Sequence, residues 1–499
     1  MRLRAGMRAS VVGLAAVLAA AASAACAERS DRVDGDDLAG GAERDRAATT
    51  APPGPDDGLA AEAVGAAGVG DPYFPDAGNG GYDVARYVLD LAWTPGSDGS
   101  GRIEGTTRVE ATATQPLARF HLDLAGLDVA EVTVDGEPAT VAREGERELV
   151  ITPATPIDDG AEFAAEVRYS GVPEPLPNRA DVLEPGWIDD GQEVHVLAEP
   201  DGAATFFPVN DHPSDKAAYE LRITVPDGFE VAANGRLAER VPGEDGTTWV
   251  YEAPEPMASY LIQVVIGDLE LVEEEGPGGL PLRHAFDTDI AEVARGATAR
   301  TGEMVEVLAD LFGPYPFATY GTAVVDDSLG LALETQTLAI FGPDTVLDES
   351  IQVHELAHQW FGNHVSPATW QDIWLNEGFA VYASWLWEEE TGGLSAAEIA
   401  AAVAAEGGFD RPPADPGADH LFDESVYFRG AVTLHVLRRE LGDGAFFRLL
   451  RTWLERYGGE AASTADFEAL AAEVAGRDLS DLFDAWLRDD TMPDLDDWS

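Results

Sequence analysis

Residues 71–268 contain many short segments in which apolar and polar side chains alternate. In residues 219–225, Tyr, Leu, Ile and Val alternate with Glu, Arg and Thr, and residues 120–124 show the same pattern. A period of two is typical of a strand with one buried face. Two alternating valines then run into an Asp-Gly pair at residues 135–136, which favours a tight hairpin turn. We therefore predict a β-sandwich-like N-terminal domain over residues 71–268.

After about residue 270 the apolar positions recur with the spacing of a helix. Two segments carry the i, i+3, i+4, i+7 pattern: Met304, Val307, Leu308 and Leu311, and Phe446, Leu449, Leu450 and Trp453. Gly313 marks the end of the first helix, and Ser463 with Asp466 forms a capping box for a further one. The chain is therefore predicted to be an α+β multidomain protein. Its second half, residues 269–490, is mostly helical, and residues 491–499 form a tail.

The first residues have the features of an export signal. Three arginines among the first eight residues precede an apolar run at residues 11–25, which is too short to cross a bilayer comfortably. We predict a signal peptide over residues 1–25. The Ser-Ala-Ala-Cys sequence that ends at Cys26 resembles a bacterial lipobox, which predicts an exported cell-surface lipoprotein anchored at this cysteine. Cleavage after Ala24, which would give a secreted protein, is the alternative.

Acidic side chains outnumber basic ones throughout the chain. The 92 Asp and Glu residues stand against 31 Lys and Arg residues, the net charge is −61, and Lys216 is the only lysine. Nucleic acid is excluded as a partner, because phosphate recognition needs clustered Lys and Arg. We interpret the acidity as a heavily solvated surface, which high-salt adaptation would fit. Residues 26–70, where bulky apolar side chains are rare, are predicted to be a lipidated cysteine followed by a disordered acidic linker.

The segment VHELAHQWFGN carries two histidines four residues apart, with a glutamate directly after the first. A helix through residues 350–362 would place His354 and His358 on one face, with Glu355 beside them. Two imidazoles at this spacing can chelate Zn²⁺ while the carboxylate handles protons. The alternative is an amphipathic helix with histidines at its surface.

Glu377 makes a metal site the better interpretation. Eighteen residues separate it from His358, and it lies in the apolar and aromatic stretch TWQDIWLNEGFAVYASW. A carboxylate buried there without a partner would be costly, and a metal would relieve that cost. With the two histidines it makes a His₂Glu set with an open fourth position, which is typical of catalytic zinc; structural zinc sites usually close with cysteine, and Cys26 is the only thiol. We therefore predict a zinc hydrolase with one Zn²⁺ per chain.

HELAHQWFGN followed by WLNEGFA resembles the aminopeptidase N family of gluzincin zinc metallopeptidases. The similarity extends to DPYFPDAGNGGYDVARYVLDL, EPDGAATFFPVNDHPSDKAAYELRI and VYFRGAVTLHVLRRELG, and it covers about residues 71–490. The resemblance implies a thermolysin-like catalytic domain over residues 269–490 behind the β domain. Many members carry a further large helical domain, and we expect a short two-domain bacterial form here.

The resemblance also implies roles for single residues. Glu355 is implied as the general base, and Tyr427, which heads YFRGA, as the donor to the oxyanion. Glu334 and Glu199 correspond to the acids that hold the α-ammonium group of the substrate, which is largely cationic at neutral pH. A bound ammonium sets the distance to the first peptide bond, so these two acids indicate cleavage at the N-terminus.

The family's G-x-M-E-N motif is altered in this chain. In LGLALETQT, Leu331 stands where the glycine is expected and Thr335 stands where the asparagine is expected. We expect the amine anchor to survive, because it depends on Glu334.

Together these residues predict a zinc-dependent aminopeptidase that uses zinc-activated water and Glu355 as the base. Its expected partners are peptides with a free N-terminus, and it reaches the membrane only through Cys26. Three alternatives stay open: a zinc endopeptidase of thermolysin type, another zinc hydrolase on the same fold, and a non-catalytic surface lipoprotein. Glu334 and Glu199 argue against the first of these, and the intact set of ligands, base and Tyr427 argues against the last.

Overall fold

The computed structural model describes residues 63–96, 100–177, 184–326 and 329–495. The predicted signal peptide, Cys26 and most of the predicted linker lie outside these residues. Among the helices of the described ranges, none combines the length and the apolar character needed to cross a bilayer.

The N-terminal half of the described chain is built almost entirely from strands. In chain order these are β1 (Tyr82–Thr94), β2 (Arg102–Ala113), β3 (Phe120–Asp123), β4 (Asp128–Val134), β5 (Glu137–Pro138), β6 (Thr140–Glu144), β7 (Glu148–Thr152), β8 (Glu162–Gly171), β9 (Gly186–Asp189), β10 (Val194–Leu197), β11 (Lys216–Val225), β12 (Glu230–Ala233), β13 (Arg236–Pro242), β14 (Thr247–Ala258) and β15 (Val264–Gly267).

Three sheets share these strands. Eight strands form one large sheet in the order β13-β14-β11-β1-β2-β8-β4-β5, in which β1 and β11 are parallel and the other neighbours are antiparallel. A four-stranded sheet (β12-β15-β10-β9) and a three-stranded sheet (β3-β7-β6) complete this half. Apolar side chains from all three sheets belong to one continuous hydrophobic core. The predicted β-rich N-terminal part is therefore confirmed.

The strands predicted from alternation are present. In β11 every second residue is buried, and β4 turns into β5 through Asp135 and Gly136, whose φ angles are 52° and 79°, as a type I′ hairpin turn requires. β3 departs from simple alternation, because all four of its residues are buried. Its Asp123 carboxylate pairs with the buried guanidinium of Arg147, at 3.2 Å from Nε, and does not face water.

The described fold starts a few residues before the predicted boundary at residue 71. Val64 forms an isolated bridge with Arg119. The main-chain N–H of Gly65 donates to the carbonyl of Arg119 at 2.9 Å. These two residues were assigned to the linker from the sequence. In the structure they pack against the segment before β3.

The C-terminal half combines a mixed sheet with helices, as the α+β class predicts. The strands are β16 (Leu269–Glu275), β17 (Pro281–Asp287), β18 (Thr322–Val324), β19 (Ala332–Leu333), β20 (Ala339–Phe341), β21 (Ser366–Pro367) and β22 (Ala461–Ala462). The helices are α1 (Ala291–Ala297), α2 (Thr301–Phe312), α3 (Glu349–Ala357), α4 (Trp374–Glu390), α5 (Ala396–Glu406), α6 (Gly430–Leu441), α7 (Asp443–Tyr457), α8 (Thr464–Ala475) and α9 (Ser480–Phe483). A five-stranded sheet, β16-β17-β18-β20-β19, lies at the start of this half. The sequence patterns did not predict it, because three of its strands are only two or three residues long.

The predicted helices form, with one adjustment. α2 ends before Gly313, whose φ is 113°, but its fully buried face includes Val305 and Phe312, whereas Val307 and Leu311 are only half-buried. In α7 all four predicted apolar positions are buried. The capping box of α8 is present: the Ser463 and Asp466 side chains each accept a hydrogen bond from the main-chain N–H of the other residue, at 3.3 and 3.0 Å.

Polar contacts fix the two halves to each other. The Asp71 carboxylate accepts a hydrogen bond from the main-chain N–H of Trp370 at 2.8 Å. The Lys216 amine, on β11, donates to the carbonyl oxygens of Asn363 at 2.8 Å and His364 at 3.0 Å. Asn363 and His364 belong to the segment that follows α3, so the N-terminal half is attached directly behind that helix.

Candidate active site

α3 carries the first part of the candidate site. It begins at Asp348, whose carboxylate accepts a hydrogen bond from the main-chain N–H two residues further on, at 2.8 Å. The sequence predicted a helix through residues 350–362, but the regular helix ends at Ala357 and His358 is its C-terminal cap. Gly362, with φ of 119°, then takes the chain out of helical conformation.

The two histidines of the segment lie on one face of this short helix. His358 keeps helical dihedral angles (φ −57°, ψ −25°), and its ring centroid lies 4.6 Å from that of His354. Both side chains are buried. The Nδ1 atom of His358 lies 3.1 Å from the carbonyl oxygen of Phe361. If Nδ1 donates its proton there, Nε2 is left with a free lone pair, which is the tautomer that a metal ligand needs.

Glu377 joins the two histidines from the first turn of α4. Its Oε2 atom lies 3.1 Å from Nε2 of His354 and 3.6 Å from Nε2 of His358. One donor atom from each of the three residues lies within 4.8 Å of the other two. Two imidazole nitrogens and one carboxylate oxygen that converge in this way fit Zn²⁺.

The electrostatics of His358 and Glu377 also suit a cation. Burial by itself lowers the pKa of His358, but the carboxylates of Glu334 and Glu377 outweigh it and raise the pKa to about 10. Burial by itself raises the pKa of Glu377, but His358 and His354 lower it to about 2. The negative potential that favours a protonated imidazole here also favours a divalent metal ion.

Glu355 follows His354 on α3 and is buried. Its carboxylate oxygen, a nitrogen of His358 and a carboxylate oxygen of Glu334 lie within 4.8 Å of one another. Burial raises the pKa of Glu355 well above its ordinary value, and the charges of Glu334 and Glu377 add to this effect. A carboxylate with a raised proton affinity at this place can accept a proton and release it again.

Tyr427 lies in a π-helical turn, Ser425–Arg429, directly before α6. Its half-buried ring stacks near His354, with ring centroids 6.0 Å apart. Burial, and then the charge of Glu377, raises the pKa of Tyr427 well above its ordinary value. The phenol therefore stays protonated and can donate a hydrogen bond.

A buried arginine holds the turn that carries Tyr427. The guanidinium of Arg429 donates five hydrogen bonds within the described part of the chain, and every acceptor is a main-chain carbonyl oxygen. The acceptors and distances are Trp486 at 2.8 Å, Asp489 at 2.6 Å, Ala485 at 3.3 Å, Phe409 at 3.4 Å and Arg411 at 3.4 Å. The turn that carries Tyr427 is thereby fixed to the C-terminal segment and to the loop that precedes the turn in the chain.

Glu334 and Glu199 reach the site from the two halves of the protein. Glu334 follows β19, Glu199 follows β10, and one carboxylate oxygen from each lies within 4.8 Å of Glu377 and of the other. Glu334 is buried and Glu199 is half-buried, and the Oε1 atom of each is buried without a hydrogen-bond partner in the described part of the chain. Burial is the largest cause of the raised pKa of both. Two such acids side by side can both be ionised only when a cation compensates them; otherwise they take up protons.

The structure accounts for both departures from the family's G-x-M-E-N motif. Leu331 packs in an apolar cluster with Leu329 and Leu333. The hydroxyl of Thr335 donates to the carbonyl of Leu338 and closes the turn that follows Glu334.

Sequence reasoning missed three residues that border the site. The hydroxyl of Tyr260 lies 3.2 Å from Nδ2 of Asn376 and 3.2 Å from the carbonyl of Gly362, and no pattern in the sequence marks it. Gln359 and Asn363 stand inside the HQWFGN sequence, but only His354, Glu355 and His358 before them were assigned a role. Both amides contact the main chain of Glu334.

Comparison with known proteins gives two family matches. The Peptidase M1 N-terminal domain matches residues 85–261, and the Peptidase family M1 domain matches residues 297–486. Among curated relatives, "Aminopeptidase M1-A" of Oryza sativa subsp. japonica is 26% identical over 449 residues, which is 81% of this chain and 50% of the relative. "Probable aminopeptidase 1" of Sulfurisphaera tokodaii is 26% identical over 403 residues, which is 74% of this chain and 49% of the relative. The chain spans about half the length of these two curated relatives.

A solved structure is similar over nearly its whole length. The M1 zinc metallopeptidase from Deinococcus radiodurans has a TM-score of 0.80 and 32% identity, and the match covers 85% of this chain and 98% of that one. A mutant of that peptidase with a bound Tyr-Ser-Ala substrate gives a TM-score of 0.79.

Proposed function

Because this chain belongs to peptidase family M1, we propose that it is a zinc-dependent aminopeptidase that removes residues from the free N-terminus of peptides. One observation carries the proposal. Glu199 and Glu334 offer carboxylate oxygens within 4.8 Å of the candidate metal ligand Glu377, and each has a buried oxygen without a hydrogen-bond partner in the described part of the chain. A peptide α-ammonium group carries a positive charge and N–H donors. It would therefore supply the hydrogen bonds that these two oxygens do not make within the protein.

The proposed metal is Zn²⁺, held by His354, His358 and Glu377. When bound, zinc polarises the scissile carbonyl and makes water a nucleophile at neutral pH. Glu355 accepts the proton of the attacking water and returns it to the leaving amine. The Tyr427 hydroxyl donates a hydrogen bond to the oxyanion that forms during the attack.

The two anchoring acids also explain why cleavage would occur at the end of the peptide. An ammonium group bound by Glu199 and Glu334 would lie beside the candidate metal ligand Glu377, so the first peptide bond would be the one nearest to Glu355. A peptide with an acylated N-terminus would leave Glu199 and Glu334 buried opposite a neutral group, which disfavours its binding.

The test compares aminoacyl p-nitroanilides with their N-acetyl forms, with and without a chelator. We expect hydrolysis of the free-amine substrates only, loss of activity with the chelator, and recovery on addition of zinc. Equal rates on N-acetyl substrates, or cleavage of peptides at internal bonds, would show an endopeptidase instead. Full activity after Glu355→Gln would exclude the proposed base.

We also propose that the enzyme is exported and anchored to the membrane through a lipid on Cys26, with a secreted form as the alternative. The basic first residues, the apolar run and the Ser-Ala-Ala-Cys sequence support this localisation. Mass spectrometry of the mature N-terminus distinguishes the two forms. A diacylglycerol adduct on Cys26 is expected in the membrane fraction, and Cys26→Ser should prevent this modification.

A further inference from the structure

Two side-chain amides meet at the main-chain carbonyl of Glu334. Nε2 of Gln359 donates to this oxygen at 3.0 Å, and Nδ2 of Asn363 donates to it at 2.7 Å. Both residues are fully buried, and both follow His358 within the same short segment. The proposed amine anchor is therefore hydrogen-bonded directly to the segment that carries two of the proposed metal ligands, His354 and His358.

Gln359 also contacts the turn that follows Glu334. Its Oε1 atom accepts a hydrogen bond from the main-chain N–H of Thr337 at 2.9 Å, so one amide spans both ends of the turn. Thr337 has φ of 68°, a conformation that β-branched residues rarely adopt. Its hydroxyl oxygen accepts a hydrogen bond from the N–H of Gly235 at 2.7 Å. The turn keeps this unfavourable shape because its neighbours hold it there.

The N-terminal half holds the same turn from the other side. Asn234 donates from Nδ2 to the carbonyl of Gln336 at 2.6 Å, and the N–H of Gln336 donates to the carbonyl of Leu261 at 3.1 Å. This half also carries Glu199, the second proposed anchor. The turn after Glu334 is thus fixed between the metal-binding segment and the half of the protein that supplies the other acid.

We propose that Gln359 and Asn363 are positioning residues for the amine anchor. They hold Glu334 at the distance from the metal site at which an N-terminal ammonium is bound while the first peptide bond reaches Glu355. A shift of about 1 Å in such a geometry can lower the rate by about a hundredfold. This inference rests on the proposed aminopeptidase function. The positioning role also explains how Glu334 can be held in place without the glycine and asparagine of the family's motif. The two amides donate hydrogen bonds to the main-chain carbonyl of Glu334 itself.

The test measures how much the amine of a ligand contributes to binding. The probes are L-leucine and 4-methylpentanoate, which share one carbon chain and one carboxylate and differ only in the amine. Their dissociation constants for the zinc-loaded enzyme are measured by calorimetry, and the ratio of the two constants reports the anchor. Neither probe is turned over, so the ratio is independent of catalytic rate, and the zinc content of every variant is measured in parallel.

The variants are Gln359→Met and Asn363→Leu, which remove the amides and add no charge. Gln352→Met is the matched control. Gln352 is a buried glutamine on α3 that also donates to main-chain carbonyls, those of Val346 at 2.7 Å and Ala297 at 3.3 Å, and it does not contact the anchor turn.

We expect wild-type enzyme to bind L-leucine at least tenfold more tightly than 4-methylpentanoate. This ratio should fall at least fivefold in the Gln359 and Asn363 variants with zinc content unchanged, and it should stay constant in Gln352→Met. If the Met or Leu variants do not fold, Gln359→Ala and Asn363→Ser carry the same test. No preference in the wild type would overturn the proposed function. A wild-type ratio kept in the Gln359 and Asn363 variants, or lost equally in the control, would overturn the positioning role while the function stands.

Discussion

The ring of Tyr427 lies nearly parallel to the imidazole of His354, with centroids 6.0 Å apart and ring planes 19° apart. The aromatic ring packs beside a proposed metal ligand, whereas the hydroxyl is the group proposed to act in catalysis. Mutation can separate these two contributions, because phenylalanine keeps the ring and removes only the hydroxyl.

Tyr427→Phe should therefore lower kcat by about 10²–10³, which corresponds to the loss of one oxyanion donor, about 2.7–4 kcal/mol. KM and the zinc content should stay near their wild-type values, because the ring still packs beside His354. Steady-state kinetics on leucine p-nitroanilide and metal analysis give all three quantities. An unchanged kcat would show that the hydroxyl takes no part in the reaction.

Glu334→Gln should weaken recognition of the substrate amine while the shape of the side chain is kept. We expect kcat/KM for free-amine substrates to fall by roughly tenfold to a hundredfold, the range for losing a hydrogen bond between charged groups. Most of the change should appear in KM. Glu349→Gln is the control, because Glu349 is a half-buried acid at the start of the same α3 helix, paired with Arg300 at 2.5 Å. Its kinetics should match the wild type.

Removal of zinc should destabilise the fold as well as abolish activity. Without a cation, Glu334, Glu355 and Glu377 are buried beside one another, with Glu199 next to them, and their ionised forms are disfavoured by burial and by repulsion. Zinc added back at a hundred times its dissociation constant should contribute about 2.7 kcal/mol. Thermal unfolding of the dialysed protein, with and without zinc, measures this effect. The melting temperature of His354→Ala should respond much less, and an equal response would place the stabilising zinc elsewhere.

Arg429→Lys should cost stability although the positive charge is kept. An ammonium group cannot satisfy five carbonyl oxygens that surround a planar guanidinium, and the loss of two or more hydrogen bonds is expected to cost about 2–4 kcal/mol. Because Tyr427 lies in the same turn, kcat should fall too. Arg456→Lys at an exposed ion pair with Glu473 is the control and should change the unfolding free energy by less than about 0.5 kcal/mol. Equal denaturation midpoints for the two variants would contradict the structural role of Arg429.

The unfolding free energy should fall in acid partly because of His284. Burial, reinforced by the charge of Arg283, lowers the pKa of His284 to about 4, against about 6.5 in an unfolded chain. Between these values the unfolded chain binds a proton that the folded protein does not, so stability is complete above pH about 6.5 and is lost as the pH falls toward 4. The full effect is about 3 kcal/mol, and about 2 kcal/mol of it is lost by pH about 5.

The variant His284→Asn isolates this contribution. Asparagine can still contact the hydroxyl of Thr322, which lies 2.8 Å from Nδ1 of His284, but it does not titrate. Urea denaturation at neutral pH and at pH about 5 should show a smaller loss of stability in the variant than in the wild type. Carboxylates with raised pKa, such as Asp211 at about 7, act in the opposite direction but are present in both proteins. Identical losses would exclude His284 as the cause.

The proposed metal ligands could be predicted because the information is local. The i, i+4 spacing puts His354 and His358 on one face of a helix whatever surrounds them. Glu377 is conspicuous because it is an acid within an aromatic stretch. The strands with strict alternation, such as β11, could be predicted for the same reason. Their burial depends on a periodicity that is visible within ten residues.

Long-range pairing had no such signal. Asp123 looked like a solvent-facing position in an alternating strand, but it pairs with Arg147, twenty-four residues away, in a buried network. The five-stranded sheet was not predicted, because three of its strands are too short to show a periodic pattern of apolar residues. Gln359 and Asn363 are adjacent to the predicted metal ligands in the sequence. Their role depends on the position of the Glu334 main chain, and no local sequence pattern predicts that position.

The contact of Lys216 with the segment behind α3 has a consequence for chemical labelling. This residue is the only lysine of the chain, and its amine is held by two carbonyl oxygens at 2.8 and 3.0 Å between the halves. An amine-reactive reagent therefore has one side-chain target, and opening of this contact should raise the rate of its reaction. The rate of acylation at Lys216, measured by mass spectrometry, would report how often this single contact opens in otherwise native enzyme.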